Sequence, residues 1–348
     1  MEQKQDQLNP SKIMQIGMGF WASKVVLSAV RFKLFTLLAG TEKSAREIKE
    51  ALKLGCTDRH VFDFLDTLLS LGFLKREGLL ENAKYSNSAE TEFFLDEKKP
   101  SFIGGILQMA NNRLFHHWQN LEEGLLTGEA QNEAKNDHNM EFFHHLYQSP
   151  ERLQEFMDAM SGIQGGNFMT LVKKFNFSNY KTLTDVGGAD GFLSAMITMH
   201  HPNIECTTFD LPPVAPVVKR KLDRMKITSR VKIASGDFMK DPIPPAEIMT
   251  MGNILHGVNE ETKLMLFKKV YDALPENGAF MAIENIIDND RRQNTFGLLM
   301  SLNMLIENGD AFDYTANDFE TWAKQTGFKR TEIIQLEGPT SAAVAYKN

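Results

Sequence analysis

The 348-residue chain has only two cysteines, Cys56 and Cys206, falling in what read as different halves. That excludes a disulfide framework and makes the reducing cytoplasm the expected compartment. Positive charge is also short: 38 Lys and Arg face 45 Asp and Glu, a net charge of −7. The balance has the wrong sign for a protein that works along phosphate backbones and would tolerate a cationic ligand. No long apolar run is unbroken, since the stretch 13–30 is interrupted by Gln15, Ser23, Lys24 and Ser28. The expectation is a buried or interface helix and no membrane partner. Residues 1–10 are polar and carry no signal-peptide core, and neither an internal repeat nor a low-complexity segment is present.

From residue 13 to about 107 apolar residues recur at helical spacing, with breaks near Gly40, Gly55 and Gly72. A helix over 44–52, a second starting at Thr57 or Asp58 and ending near Leu71, and a wing over 73–80 turning back toward Tyr85 spell a helix-turn-helix. The recognition helix would carry Asp58, Asp63 and Asp66 against Arg59 alone, so it would repel DNA, and no nucleic-acid partner is expected. Residues 108–166 read as a helical connector containing Phe115-His116-His117-Trp118 and Phe142-Phe143-His144-His145. Adjacent histidines on a helix point about 100° apart and do not chelate one ion. With His200-His201 they make three such doublets, and no metal is expected.

After Lys181 the period changes to strands alternating with helices, with strands over 182–186, 204–209, 231–234, 247–254 and 279–284 and a helix over 261–274. Such alternation builds a parallel sheet covered by helices, and 331–336 with 342–346 closes it as a strand pair. The most telling segment is Asp185-Val186-Gly187-Gly188-Ala189-Asp190-Gly191, a strand end followed by a glycine turn and a helix from Phe192. Glycine lets the backbone approach a ligand closely. Asp210, closing the next strand, is placed to accept both hydroxyls of a ribose. The turn lacks the third glycine of the dinucleotide fingerprint, which disfavours pyrophosphate. In a parallel sheet, ligands sit at the carboxyl ends of the strands, so Asp185, Gly187, Asp210, Leu211, Gly236-Asp237-Phe238, His256 and Glu284 form one set.

That set, with Phe209-Asp210-Leu211-Pro212, Ile254-Leu255-His256 and Ala273-Leu274-Pro275-Glu276-Asn277-Gly278, resembles the caffeate and acetylserotonin type of small-molecule O-methyltransferase over nearly the whole chain. The resemblance implies a Rossmann-like α/β S-adenosylmethionine (SAM) methyltransferase domain over 167–348. It also implies a winged-helix-like all-α dimerisation domain over 1–107, a pocket-lining connector over 108–166, and a homodimer. By the same resemblance Asp185, Gly187, Gly188, Asp210 and Leu211 hold the cofactor with Gly236, Asp237, Phe238 and Asn253, S-adenosylhomocysteine (SAH) being the product. His256 falls on the general base, and Glu284 and Asp313 on the acids that orient it. Phe156 and Met160, in the stretch Phe156-Met157-Asp158-Ala159-Met160, fall on the substrate pocket. This chain departs from the pattern at Gly252 and Asn253, which replace a Lys and a Trp that help hold SAM, and at Gly257-Val258, which replace Asp-Trp. Ala189 stands where a middle glycine is usual.

Met300, Asn303 and Met304 fall on one helical face and suit an adaptable apolar pocket for a small-molecule acceptor. The reaction expected is transfer of a methyl group from SAM to a hydroxyl, with His256 removing the proton. Two alternatives stay open. A thioether acid such as 4-methylthio-2-hydroxybutyrate, on the route to dimethylsulfoniopropionate, needs no base, and Arg113, Arg152, Arg291 and Arg292 are candidate partners for its carboxylate. The other is a SAM-binding regulatory homologue without activity, against which intact Asp210 and His256 argue.

Overall fold

The computed structural model describes residues 8–133 and 149–348, except the side chains of residues 150–152, 155 and 158. Phe142, Phe143, His144 and His145 and the side chains of Arg152 and Asp158 therefore lie outside the described residues. The chain divides into two compact units, Met1–Phe115 and His116–Asn348. The first boundary falls a few residues beyond 107, and the rest of the 108–166 connector belongs to the second unit.

In the first unit, helix Ala45–Ala51 starts at Ser44, whose hydroxyl accepts from the Glu47 N–H while the Glu47 carboxylate accepts from the Ser44 N–H. This reciprocal capping satisfies donors that a helix start otherwise leaves open. Helix Asp58–Ser70 is capped by Thr57 and buries Val61, Phe62, Leu65 and Leu68. Strands β2 (Leu74–Glu77) and β3 (Lys84–Asn87) form the wing, and β1 (Lys43–Ser44) adds a third, antiparallel strand in the order β1-β3-β2. The all-α label omits this three-stranded sheet; the wing expected over 73–80 turning back toward Tyr85 covers β2 and β3 but not β1, whose two residues carry no readable period. Asp66 accepts from Arg76 at 2.6 Å and from the Tyr85 hydroxyl at 2.8 Å, tying helix to wing. Arg59, the sole cation of the would-be recognition helix, pairs with Asp63 at 3.2 Å.

Helices Ser11–Gly17 and Gly19–Arg31 open the first unit. Leu27 is buried and Val25 packs on the core, but Ile13 (75 % exposed), Ile16 (71 %), Phe20 (52 %) and Trp21 (59 %) are left uncovered. By length and composition alone Ser11–Arg31, at 21 residues and hydropathy 1.4, is apolar enough to cross a membrane. The polar interruptions leave that composition in place, and most of the stretch is exposed rather than buried. The uncovered side chains are what a partner surface of the same chemistry would bury.

The second unit is built on a seven-stranded sheet: β4 (Thr182–Val186), β5 (Glu205–Asp210), β6 (Val231–Ser235), β7 (Ile248–Gly252), β8 (Ala279–Glu284), β9 (Arg330–Gln335) and β10 (Ser341–Tyr346). The order is β6-β5-β4-β7-β8-β10-β9. The first five strands are parallel, and β10 enters antiparallel between β8 and β9. Burial on both faces explains the near-continuous apolar runs, as in β8, where every residue is buried. From β4 the chain moves outward through β5 and β6, then returns to the other side of β4 through β7 and β8. The order reverses between β4 and β7, and at such a reversal sheets of this kind bind ligands outside the carboxyl ends of the strands.

Candidate active site

Parallel register sets Val186 beside Phe209 on one side and Met251 on the other, so the residues that follow β4, β5 and β7 share one edge. The turn after β4 bends sharply: Gly187, Ala189 and Gly191 have φ of 67°, 49° and 78°. Gly187 donates its N–H to the Phe209 carbonyl at 2.8 Å, folding the turn over the end of β5. Ala189 occupies a left-handed backbone that costs an L-residue about 1–2 kcal/mol. Its N–H donates to Asp210 Oδ2 at 2.9 Å, which helps hold it there. A methyl group on Gly187 would meet Ile254 Cδ1 at 2.6 Å and approach the Phe238 ring at 3.6 Å. Gly187→Ala is therefore expected to raise the Kd for SAM at least about tenfold in calorimetry, because strain and clash both displace the turn. An unchanged Kd would show that the turn does not position the cofactor.

Asp210 holds the turn with both oxygens, accepting from Ala189 as above and from the Leu211 N–H at 2.7 Å through Oδ1. Burial pushes its carboxyl up to about 6 against those two donors. Asp185 lies deeper, accepting from the Thr250 hydroxyl at 2.8 Å, and burial pushes it up to about 7. Its contact with the turn is indirect: a methyl group on Gly188 would touch Thr208 and lie 3.0 Å from an Asp185 oxygen. Gly236 donates to the Asp210 carbonyl at 3.0 Å, continuing the same edge. Asp237 is engaged by its own loop, accepting from the Met239 N–H at 2.9 Å and pairing with Lys240 at 3.2 Å. Asn253 has a φ of 54°, a conformation asparagine tolerates and tryptophan does not favour. Beside it, a methyl group on Gly252 would meet nothing within 4 Å, so the edge is open there.

His256 sits in the short turn Leu255–Gly257 after β7 and is buried. Its Nδ1 faces Asp313 Oδ1 at 3.4 Å, an ion-pair distance rather than a tight hydrogen bond. Asp313 is placed by its own N–H, which donates to Ser301 Oγ at 3.2 Å. Glu284, ending β8, is aimed at the backbone: its Oε1 accepts from the Leu255 N–H at 2.7 Å and the His256 N–H at 3.3 Å. Burial opposes the imidazolium, but the Asp313 and Glu284 carboxylates outweigh it and hold the ring above its ordinary value. The two acids thus differ, one facing the ring and the other fixing the turn.

The remaining pocket candidates lie on two helices. Asn303 and Met304 are buried and Met300 half-buried on Thr295–Asn308. Asn303 Oδ1 accepts from the Trp118 indole at 2.8 Å, a partner sequence periodicity does not show. On helix Pro150–Lys174, Phe156 packs against the sheet core and Met160 is half-buried. His200 and His201 are bonded to the Met196 and Val172 carbonyls, and His117 lies 3.3 Å from Glu133. Among the described residues no three His, Cys, Asp or Glu are grouped to hold a metal ion.

Residues 118–329 match the O-methyltransferase domain family and residues 14–97 the O-methyltransferase dimerisation domain family. The chain is 35 % identical to the tetracenomycin polyketide synthesis 8-O-methyl transferase TcmO of Streptomyces glaucescens, over 97 % of each. It is 26 % identical to the N,N-dimethyltransferase OxyT of Streptomyces rimosus, over 93 % of this chain and 92 % of that one. The human N-acetylserotonin methyltransferase, solved in complex with SAM, superposes with a TM-score of 0.88 at 22 % identity, over 99 % of this chain and all of that one. Both family matches fall where a helical unit and a Rossmann-like sheet unit lie, and together they cover most of the sequence: the chain belongs to the O-methyltransferase family.

Proposed function

We propose that the chain transfers a methyl group from SAM to a hydroxyl of a small molecule. The observation that carries this reading is a buried histidine, His256, whose Nδ1 faces a carboxylate at 3.4 Å, at the same sheet edge as the Asp210-anchored turn. The turn residues 187–189, Asp210 and Leu211, and the Phe238 ring beside Gly187 would hold the cofactor, and the open edge at Gly252 accommodates it. When bound, SAM supplies a methyl group already activated on a sulfonium. The protein's part is to place the acceptor oxygen and remove its proton. With Nδ1 turned to Asp313, Nε2 is the nitrogen that takes that proton, and Asp313 stabilises the imidazolium formed. Glu284 keeps the turn, and with it the ring, in place. Phe156, Met160, Met300, Asn303 and Met304 are proposed to line the acceptor's side.

Incubation with methyl-labelled SAM and a panel of phenols and alcohols, read by mass spectrometry, tests this directly. One acceptor gaining a single labelled methyl on oxygen, with SAH formed in equal amount, is expected. Methylation confined to thioethers or amines, or SAM bound without turnover of any acceptor, would overturn it.

The same reading includes a homodimer assembled through the N-terminal helices. Ile13, Ile16, Phe20 and Trp21 form an uncovered face inside the dimerisation-domain match or directly before it. Light scattering at micromolar concentration should give about twice the chain mass of 39.4 kDa. Deleting residues 1–31 should give monomeric or insoluble protein, and a wild-type mass of a single chain would contradict the proposal.

A further inference from the structure

Lys263 lies on helix Glu260–Ala273 in register with Leu266, Phe267 and Val270, the residues that helix buries, and none of it reaches solvent. A fully buried ammonium is costly unless paired. Its Nζ donates to the carbonyl of Val258, two residues after His256. The same group sits 3.6 Å from the centroid of Phe312, the residue before Asp313, and 5.7 Å from that of Trp322. Trp322 is fixed by its indole N–H, which donates to Glu260 Oε1 at 2.9 Å. One side chain therefore bridges the turn that carries His256 and the segment that carries Asp313.

We propose that Lys263 is a positioning residue for methyl transfer: it ties the two segments of the His256–Asp313 pair together, and its charge offsets the carboxylates around the histidine. This rests on His256 being the base. A histidine beside two buried carboxylates alone is driven toward the imidazolium, which cannot accept a proton. Lys263 supplies the opposing charge. The groups facing it are Glu260 on its own helix, Glu284 from β8, Asp310 and Asp313 from the segment before Thr315, and His256 from the turn after β7. Tyr314 faces Glu284 from that same segment. Burial pushes the Lys263 ammonium down to about 8, the carboxylates acting against that shift, so it is charged at neutral pH.

The test is the pH dependence of the single-turnover rate in Lys263→Met, Lys263→Gln and Lys263→Arg, with SAM affinity measured alongside. Removing the charge lets the carboxylates hold the His256 proton more tightly, so the acidic limb should move upward by about half to one pH unit. Lys263→Arg should return the limb toward its wild-type position, and SAM affinity should stay within about twofold in all three. Lys263→Gln, which keeps a donor for the Val258 carbonyl, supplies the same reading if the methionine variant does not fold. A limb unmoved in the charge-free variants, or moved equally in Lys263→Arg, overturns the proposal. If His256→Ala itself proves fully active, the function reading has failed instead, and the two failures are separate.

Discussion

His256→Ala should slow the chemical step of methyl transfer at neutral pH by at least about 100-fold while leaving SAM affinity within about twofold. A phenol-like hydroxyl loses its proton near pH 10, whereas a histidine takes one near 6.5, so the ring acts only as the acceptor's proton departs. The variant keeps Asp210 and the glycine turn, which is why binding should survive. Glu284 remains bonded to the backbone at residues 255 and 256, which an alanine retains, so the turn should stay folded. A thioether acceptor reverses the expectation: no proton leaves, and the loss should not exceed what the ring contributes to positioning. A regulatory homologue without activity would show no turnover in either protein.

Asp210→Ala should weaken SAM binding by at least tenfold, and more where the turn collapses. Each hydrogen bond to a charged group contributes about 1.5–3 kcal/mol, and the side chain is assigned two from a ribose. It also removes the acceptor that keeps Ala189 in its left-handed conformation. The pH dependence has a defined sign. Burial raises this carboxyl to about 6 in the free protein, and hydroxyl donors favour its ionised form, so binding releases a proton below about pH 6. Affinity should therefore rise with pH up to about 6 and then level off. Asp210→Asn should lose this slope, and calorimetry showing equal affinity and equal slope in both proteins would remove Asp210 from the cofactor site.

The strands of the second unit were legible because burial on both faces writes them as short apolar runs, and the turn because glycine is the residue that most readily adopts the positive φ found at positions 187 and 191. The separate tasks of Glu284 and Asp313 were not legible. Which carboxylate faces the ring depends on Ser301 holding the Asp313 N–H, a contact between segments that follow no common period. Asp237 is taken up by Met239 and Lys240, a local loop preference that strand-end position does not reveal. Lys263 left a readable signal, its spacing from Leu266, Phe267 and Val270, but a lysine at such a position is ordinarily taken for a solvated face. Trp118 and Asn303 lie far apart in sequence, so no pattern predicts their bond.

The central claim, that His256 removes a proton from a hydroxyl, is tested most directly by single-turnover rates of wild type and His256→Ala across a pH series on the acceptor found by screening. The ring must be neutral to act, and the carboxylates beside it hold it above its ordinary value. The wild-type rate should therefore fall as pH drops through a limb lying above about 6.5, and His256→Ala should lack that limb. Superimposable profiles, with the variant as fast as the wild type on a hydroxyl acceptor, would contradict the assignment of the base.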